Sequence, residues 1–251
     1  MSQQEFETLV IQDESPVLRV MLNRPKLANA MNLKMVNELM AVMEKVENEN
    51  YRVLIISGGN GNFCAGGDIK DMQSAGTDKQ ALVELNRAFG HMITKADHLP
   101  AAVICALEGA VLGGGFGLAC VSDLAIAVEI TQFGLPETSL GIIPAQIAPF
   151  VVKRIGLTQT RRMALFGNRI KAQEAMSLGL IHQVVENNEQ LDEAVAKAVK
   201  LALKCAPQAS KTTKALIHSV ENEDIEPLLD QAALDFADAV MGEGREGGAA
   251  F

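Results

Sequence analysis

The stretch Glu108-Gly109-Ala110-Val111-Leu112-Gly113-Gly114-Gly115-Phe116-Gly117-Leu118-Ala119 decides how this chain reads. It follows the apolar run Ala102-Val103-Ile104-Cys105-Ala106-Leu107, which has the length and composition of a buried strand. A strand that ends in glycine and feeds an apolar helix leaves backbone N–H groups unpaired at the positive end of the helix dipole. Glycine lacks a Cβ, so a ligand oxygen can approach those N–H groups closely. Such a place suits an anion, or an oxygen that becomes negative during a reaction. Downstream, Phe133-Gly134-Leu135-Pro136-Glu137 sets one carboxyl group in an otherwise apolar loop. Burying it there is costly without a partner or a role. The same glycines also have a packing reading, in which the missing side chains let a helix lie close to a strand.

Outward from this stretch, strands and helices alternate through the first part of the chain. Thr8 to Gln12 and Val17 to Leu22 flank Asp13-Glu14-Ser15-Pro16, a hairpin turn. Asn32 is placed to cap a helix whose apolar positions Leu33, Val36, Leu39/Met40, Met43 and Val46 recur at helical spacing. Val53 to Ser57 reads as a buried strand closed by the breakers Gly58-Gly59-Asn60-Gly61-Asn62. A polar helix near residues 78–98 and a strand over 123–128 follow, with Asp123 expected as a hydrogen-bond partner at the strand start. From about residue 144 the pattern reads as helical. Leu191, Val195, Ala198 and Ala202 share a face, Pro207 opens another helix, and an amphipathic helix follows Pro227. Met241 to Ala250 reads as a turn into a last helix or a fraying tail.

Composition removes several classes of function. There are 22 Lys and Arg against 31 Asp and Glu, a formal charge of −9, and no run of basic residues. With one Tyr and no Trp, aromatic platforms for bases are not expected, and with the acidic balance neither nucleic acid nor an anionic membrane is expected as a partner. Cys64, Cys105, Cys120 and Cys205 have no CxxC spacing, and three of them lie in apolar surroundings, as reduced structural thiols do. The N-terminal residues lack the pattern of a secretory signal, and no apolar stretch has the roughly 20 residues needed to span a bilayer. The expectation is a soluble, cytoplasmic protein. No GxGxxG after a strand, GxxxxGK[ST], GxSxG or HExxH occurs, and His91, His98, His182 and His218 have no metal-ligand spacing.

Four segments, in order, resemble the crotonase (enoyl-CoA hydratase/isomerase) superfamily over nearly the whole chain. They are Leu22-Asn23-Arg24-Pro25 with Asn29-Ala30-Met31-Asn32; Phe63-Cys64-Ala65-Gly66-Gly67-Asp68-Ile69-Lys70; Gly109 to Asp123; and Phe133 to Glu137 with Leu140-Gly141-Ile142-Ile143-Pro144. The resemblance implies an α/β fold, a crotonase-type spiral of ββα units over residues 1–190 that holds an acyl-CoA site. It also implies a helical trimerisation region over 191–251, with the protein assembled as a homotrimer or a dimer of trimers. By the same likeness, the N–H groups of Gly67 and Gly114 form an oxyanion hole for a thioester, and Glu137 is the catalytic acid/base. Lys26, Ala28, Ala65, Gly67, Asp68, Ile69, Lys70 and Gly114 fall at the positions that contact CoA. No cofactor is implied, because CoA arrives as part of the substrate.

One departure bears on the chemistry. Hydratases of the family usually carry a second glutamate at the position that is Gly117 here, where extra room in the pocket is expected instead. A single carboxylate leaves a hydratase and a Δ3-Δ2 enoyl-CoA isomerase both open, and beside them a non-catalytic protein that binds acyl-CoA or another protein. Gly117 together with Ile142 to Val152 is similar to methylglutaconyl- and isohexenylglutaconyl-CoA hydratases, which implies a β-branched 2-enoyl-CoA substrate.

Overall fold

The computed structural model describes residues 6–74 and 76–247, and clusters into two compact units that divide after Ala196. The first is organised by apolar runs that form the parallel part of a mixed sheet. Strands β1 (Leu9–Glu14) and β2 (Val17–Leu22) form an antiparallel hairpin. After helix α1 (Leu33–Asn48) comes β3 (Val53–Gly58), parallel to β2. Helices α2 (Ile69–Ser74) and α3 (Lys79–Asp97) lead to β4 (Ala102–Leu107). Then follow β5 (Ala110–Leu112), α4 (Gly114–Val121), β6 (Leu124–Val128), β7 (Gln132–Gly134) and α5 (Ala148–Phe166). Next come β8 (Arg169–Lys171), α6 (Ala172–Ser177), β9 (Gln183–Val185) and α7 (Asn188–Lys204).

The large sheet runs β1-β2-β3-β4-β6-β9 and the small one β5-β7-β8. Two of the ββα units add one strand to each sheet: β4 continues into β5 before α4, and β6 into β7 before α5. Gly109 makes the first of these corners possible. Its φ is +56°, and a Cβ there would lie 2.0 Å from the carbonyl oxygen of Gly61, so no larger residue fits. The small sheet thus stands at the carboxyl ends of β4 and β6, where open α/β sheets place their ligands.

Most expected elements are present, with local differences. The hairpin loop is only Ser15-Pro16, because Glu14 already pairs with Val17. Asp13 stays in the strand, its carboxylate accepting from the Tyr51 hydroxyl at 2.6 Å and pairing with Lys45 at 3.0 Å. Asn32 caps α1 as expected, accepting from the Met35 N–H at 3.0 Å, and Asp123 accepts from the Val103 N–H at 2.7 Å. The region after residue 144 is not purely helical. It contains β8 and β9, three-residue strands too short to show an alternating pattern.

The second unit begins at Lys197, inside α7, and holds α8 (Pro207–Ser219), α9 (Ile225–Met241) and α10 (Glu243–Gly247). Helix α9 starts two residues before Pro227, which falls in the first turn, where no N–H is needed. The Glu243 carboxylate accepts from the N–H groups of Gln208 and Ala209, both at 3.0 Å, and so caps α8. Apolar side chains remain uncovered here, with Leu234 62% and Phe236 70% exposed.

Asn29 ties the turn after β2 to the loop after β3. Its Oδ1 accepts from the Arg24 N–H at 2.8 Å, and its Nδ2 donates to the carbonyls of Gly59 at 2.9 Å and Asn62 at 2.7 Å. It is fully buried and has a left-handed φ of 58°. Asn29→Ala should therefore lower stability by about 2–4 kcal/mol, read as a fall in the urea unfolding midpoint. A change below about 0.5 kcal/mol would show that these bonds do not hold the loops together.

Candidate active site

The segment from Phe63 to Asp68 is held on both sides by single parallel bridges, Cys64 with Val111 and Met31 with Gly67. At the first, the Cys64 N–H donates to the Ala110 carbonyl and the Leu112 N–H to the Cys64 carbonyl, both at 2.9 Å. At the second, the Met31 N–H donates to the Gly66 carbonyl and the Asp68 N–H to the Met31 carbonyl, both at 2.8 Å. This pattern uses the groups of Gly66 and Asp68. The N–H of Gly67 is turned the other way, and no described residue accepts from it. An ion pair secures the strip: Arg24 Nη2 lies 2.8 Å from Asp68 Oδ2, with the two side chains 17% and 9% exposed, and Arg24 Nη1 donates to the Ala30 carbonyl.

The second N–H comes from α4. Gly113, with φ 51° and ψ −115°, is its N-cap and donates to the Gly134 carbonyl at 3.1 Å. Gly114 opens the helix, so its own N–H has no intrahelical acceptor, and none is found among the described residues. Gly114 is partly exposed, while Gly115 to Val121 are buried. The strip and the helix meet closely. A Cβ on Gly66 would lie 3.8 Å from the Gly113 Cα, and one on Gly114 would lie 3.4 Å from Met31 Sδ. Met31, whose backbone fixes Gly66 and Asp68, thus reaches the helix start with its side chain.

Glu137 begins a 3-10 turn, Glu137–Leu140, just beyond β7. Its carboxylate packs on the same glycines: a Cβ on Gly113 would lie 2.9 Å from Glu137 Oε1 and 3.3 Å from the Gly66 Cα. Glu137 Oε2 is buried with no hydrogen-bond partner among the described residues. Burial holds the carboxyl above its ordinary pKa, against a smaller opposing effect of its own backbone N–H. Cys64 is a further ionisable group on the strip, and burial pushes its thiol up to about 11, too high to serve as a thiolate nucleophile.

The remaining residues singled out in the sequence fall in two places. Ala28 and Ala65 are joined, the Ala65 N–H donating to the Ala28 carbonyl at 3.0 Å, with Lys26 exposed on the adjoining 3-10 turn. Ile69 and Lys70 are exposed at the start of α2. The Asp68 carboxylate is already engaged, by Arg24 and by the Lys70 N–H at 3.0 Å, so it serves to hold the strip. The room expected beside Gly117 is taken up, because a Cβ there would lie 2.5 Å from Ile147 Cγ2. Met31, Gly66, Gly113 and Ile147 lie in stretches that the sequence marks without giving any of the four a site role of its own, and Arg24-Pro25 with Asn29 to Asn32 mark the segment that anchors the strip.

Two N–H groups without protein acceptors and an unpartnered carboxylate, drawn together on glycine backbone, form an arrangement suited to polarising a carbonyl and moving a proton beside it. The sequence profile of the family "Enoyl-CoA hydratase/isomerase" matches residues 12–247. The chain belongs to this family, the crotonase superfamily. It is 32% identical over 246 residues to a short-chain-enoyl-CoA hydratase of Clostridium acetobutylicum, covering 95% of this chain and 90% of that protein. An enoyl-CoA hydratase/isomerase from Marinobacter aquaeolei superposes with a TM-score of 0.94 at 52% identity, covering 98% of this chain and 96% of that one. AtuE of Pseudomonas aeruginosa gives 0.95 at 51%, with the same coverage. The sheets, the ββα units and the C-terminal helices are thus those of the crotonase fold.

The raised pKa of Glu137 has a consequence for stability. A carboxyl whose folded pKa exceeds its unfolded value contributes stability below the unfolded value, about 4.3, and this is lost as pH rises through the folded value. Glu137→Gln is neutral throughout. Its melting temperature should match the wild type near pH 4 and exceed it at pH 7.5. A lower melting temperature for the variant at pH 7.5 would mean that the ionised carboxylate has a stabilising partner.

Proposed function

We propose that the protein hydrates 2-enoyl-CoA thioesters, with Glu137 as its single acid/base and the N–H groups of Gly67 and Gly114 as the oxyanion hole. One observation carries this reading: Oε2 of the half-buried Glu137 is buried without a partner among the described residues, and Oε1 packs against Gly113, next to the first N–H of α4. Glu137 takes a proton from water as the water oxygen bonds to C3. The C2–C3 π electrons move toward the thioester, whose oxygen becomes an enolate oxygen held by the two N–H groups. Glu137 then returns a proton to C2 and the carbonyl reforms. Removing one oxyanion donor typically costs about 3–4 kcal/mol of transition-state stabilisation, so two such donors account for a large share of the catalysis.

Ala28 and Ala65 offer backbone for the adenine end of CoA, Ile69 an apolar contact, and Lys26 and Lys70 positive charge for its phosphates. β-Branched acyl chains are proposed on the likeness of Gly117 and Ile142 to Val152 to the branched-chain hydratases. The filled space beside Gly117 means that this glycine does not itself widen the site.

The lone carboxylate favours a second reading, the Δ3-Δ2 isomerase, because one residue can take a proton from C2 and return it at C4. Incubation in 18O-labelled water separates the two. Hydration places the label on C3, whereas isomerisation of a 3-enoyl-CoA incorporates none. Glu137→Gln should lower kcat by about 10²–10⁴-fold in either case, and equal rates for variant and wild type would remove Glu137 from the mechanism. Acyl-CoA binding without turnover of either substrate would instead favour the non-catalytic binding protein.

We further propose that the exposed apolar residues of α9 are covered in a homotrimer or a dimer of trimers, since single proteins rarely leave such patches open. Leu234→Glu combined with Phe236→Glu should reduce the mass measured by light scattering to that of a smaller species. An unchanged mass would exclude this face from the interface.

A further inference from the structure

Two glycines on neighbouring helices of the first unit receive consecutive residues of one loop. On α4, a Cβ at Gly117 would lie 2.5 Å from Ile147 Cγ2, 3.1 Å from Ile147 Cβ and 3.5 Å from Ile93 Cδ1. On α3, one turn before Ile93, a Cβ at Gly90 would lie 2.0 Å from Gln146 Oε1. The Gln146 amide is clasped there, Oε1 accepting from Arg87 Nη1 at 2.9 Å and Nε2 donating to Asn86 Oδ1 at 2.8 Å. The segment 137–147 is thus anchored at both ends. Glu137 lies against Gly113, its carbonyl accepts from the Ile142 N–H at 3.0 Å, and Gln146-Ile147 fill the two notches.

From these contacts we infer that Ile147 is the residue that sets the depth of the acyl site. The inference rests on the reading that an acyl thioester binds with its oxygen at Gly67 and Gly114. Gly114 and Gly117 lie three residues apart on one helix and so share a face, about 4.5 Å apart along the axis. An acyl chain leaving the thioester along that face meets position 117 within a turn. The side chain that fills the space there comes from Ile147, whose branched Cβ restricts it at χ1 and makes a fixed, apolar wall. The clasp over Gly90 holds the loop so that this wall stays in place. The predicted ligand class is therefore acyl groups that are short along this direction. Each methylene that meets such a wall typically changes selectivity by about 10–200-fold.

Binding of unreactive saturated thioesters tests the wall independently of turnover. Affinities of butyryl-, hexanoyl- and octanoyl-CoA are measured by calorimetry for the wild type, for Ile147→Ala and for Ile147→Val. The hexanoyl-to-butyryl affinity ratio should rise by about 10-fold or more in Ile147→Ala, and by a smaller factor in Ile147→Val. Adding Gly117→Ala to Ile147→Ala should reverse much of that gain, because the new Cβ re-enters the emptied notch. Loss of packing alone would weaken all three ligands alike and leave the ratio unchanged. A constant ratio in the folded variants, a gain that survives the added Gly117→Ala, or no acyl-CoA binding by the wild type would each overturn the inference. A shifted ratio in a protein that hydrates no 2-enoyl-CoA would count against the proposed hydration alone and leave the role of Ile147 standing.

Discussion

Gly67 owes its outward-facing N–H to the bridge that Met31 makes on its other side. A parallel bridge uses the carbonyl of one neighbour and the N–H of the other, so pairing Met31 with Gly66 and Asp68 turns the groups of Gly67 away. The rest of the site depends on that constraint. Arg24 and Asp68 keep the strip in register by a largely buried ion pair, and breaking such a pair by removing one partner typically costs about 3–5 kcal/mol. The bridge from Cys64 to Val111 sets the same strip beside β5, and β5 delivers the chain directly into Gly113 and α4. Both unpaired N–H groups are therefore placed by backbone geometry, that of Gly67 by the bridge and that of Gly114 by the helix start.

The same economy explains the glycines. Backbone packs against backbone at Gly66 and Gly113, and the space so gained admits the carboxylate of Glu137. At Gly90 and Gly117 the missing side chains admit Gln146 and Ile147 instead. Close approach thus serves two ends in one molecule: it brings the Glu137 carboxylate to the helix start, and it seats Ile147 against Gly117 one turn further on. Desolvation follows from the first. A carboxyl packed on glycine backbone loses water without Oε2 gaining a partner, which raises its pKa above the ordinary carboxylate value.

Much of the fold was legible because its signals are local. Val53 to Gly58 and Ala102 to Leu107 are continuous apolar runs, Asn32 is a capping residue before a helical pattern, and Asp123 sits where a strand start needs an acceptor. Strands β8 and β9 were missed because three residues carry no periodicity, and they are strands only through pairing with β7 and β6. Gly117 shows the limit most clearly. An absent side chain reads in sequence as open space, but what fills that space is set by Ile147, distant along the chain and near in the fold.

The amino-acid sequence by itself determined the family and the order of most elements, because ordered glycine and acid motifs and apolar periodicity are properties of short segments. Only the tertiary structure decided which N–H groups lack acceptors among the described residues, that the Asp68 carboxylate is engaged by Arg24, and that Ile147 fills the space beside Gly117. Those facts depend on segments brought together by the two sheets, and the energy of a buried polar group depends on neighbours that no local pattern names.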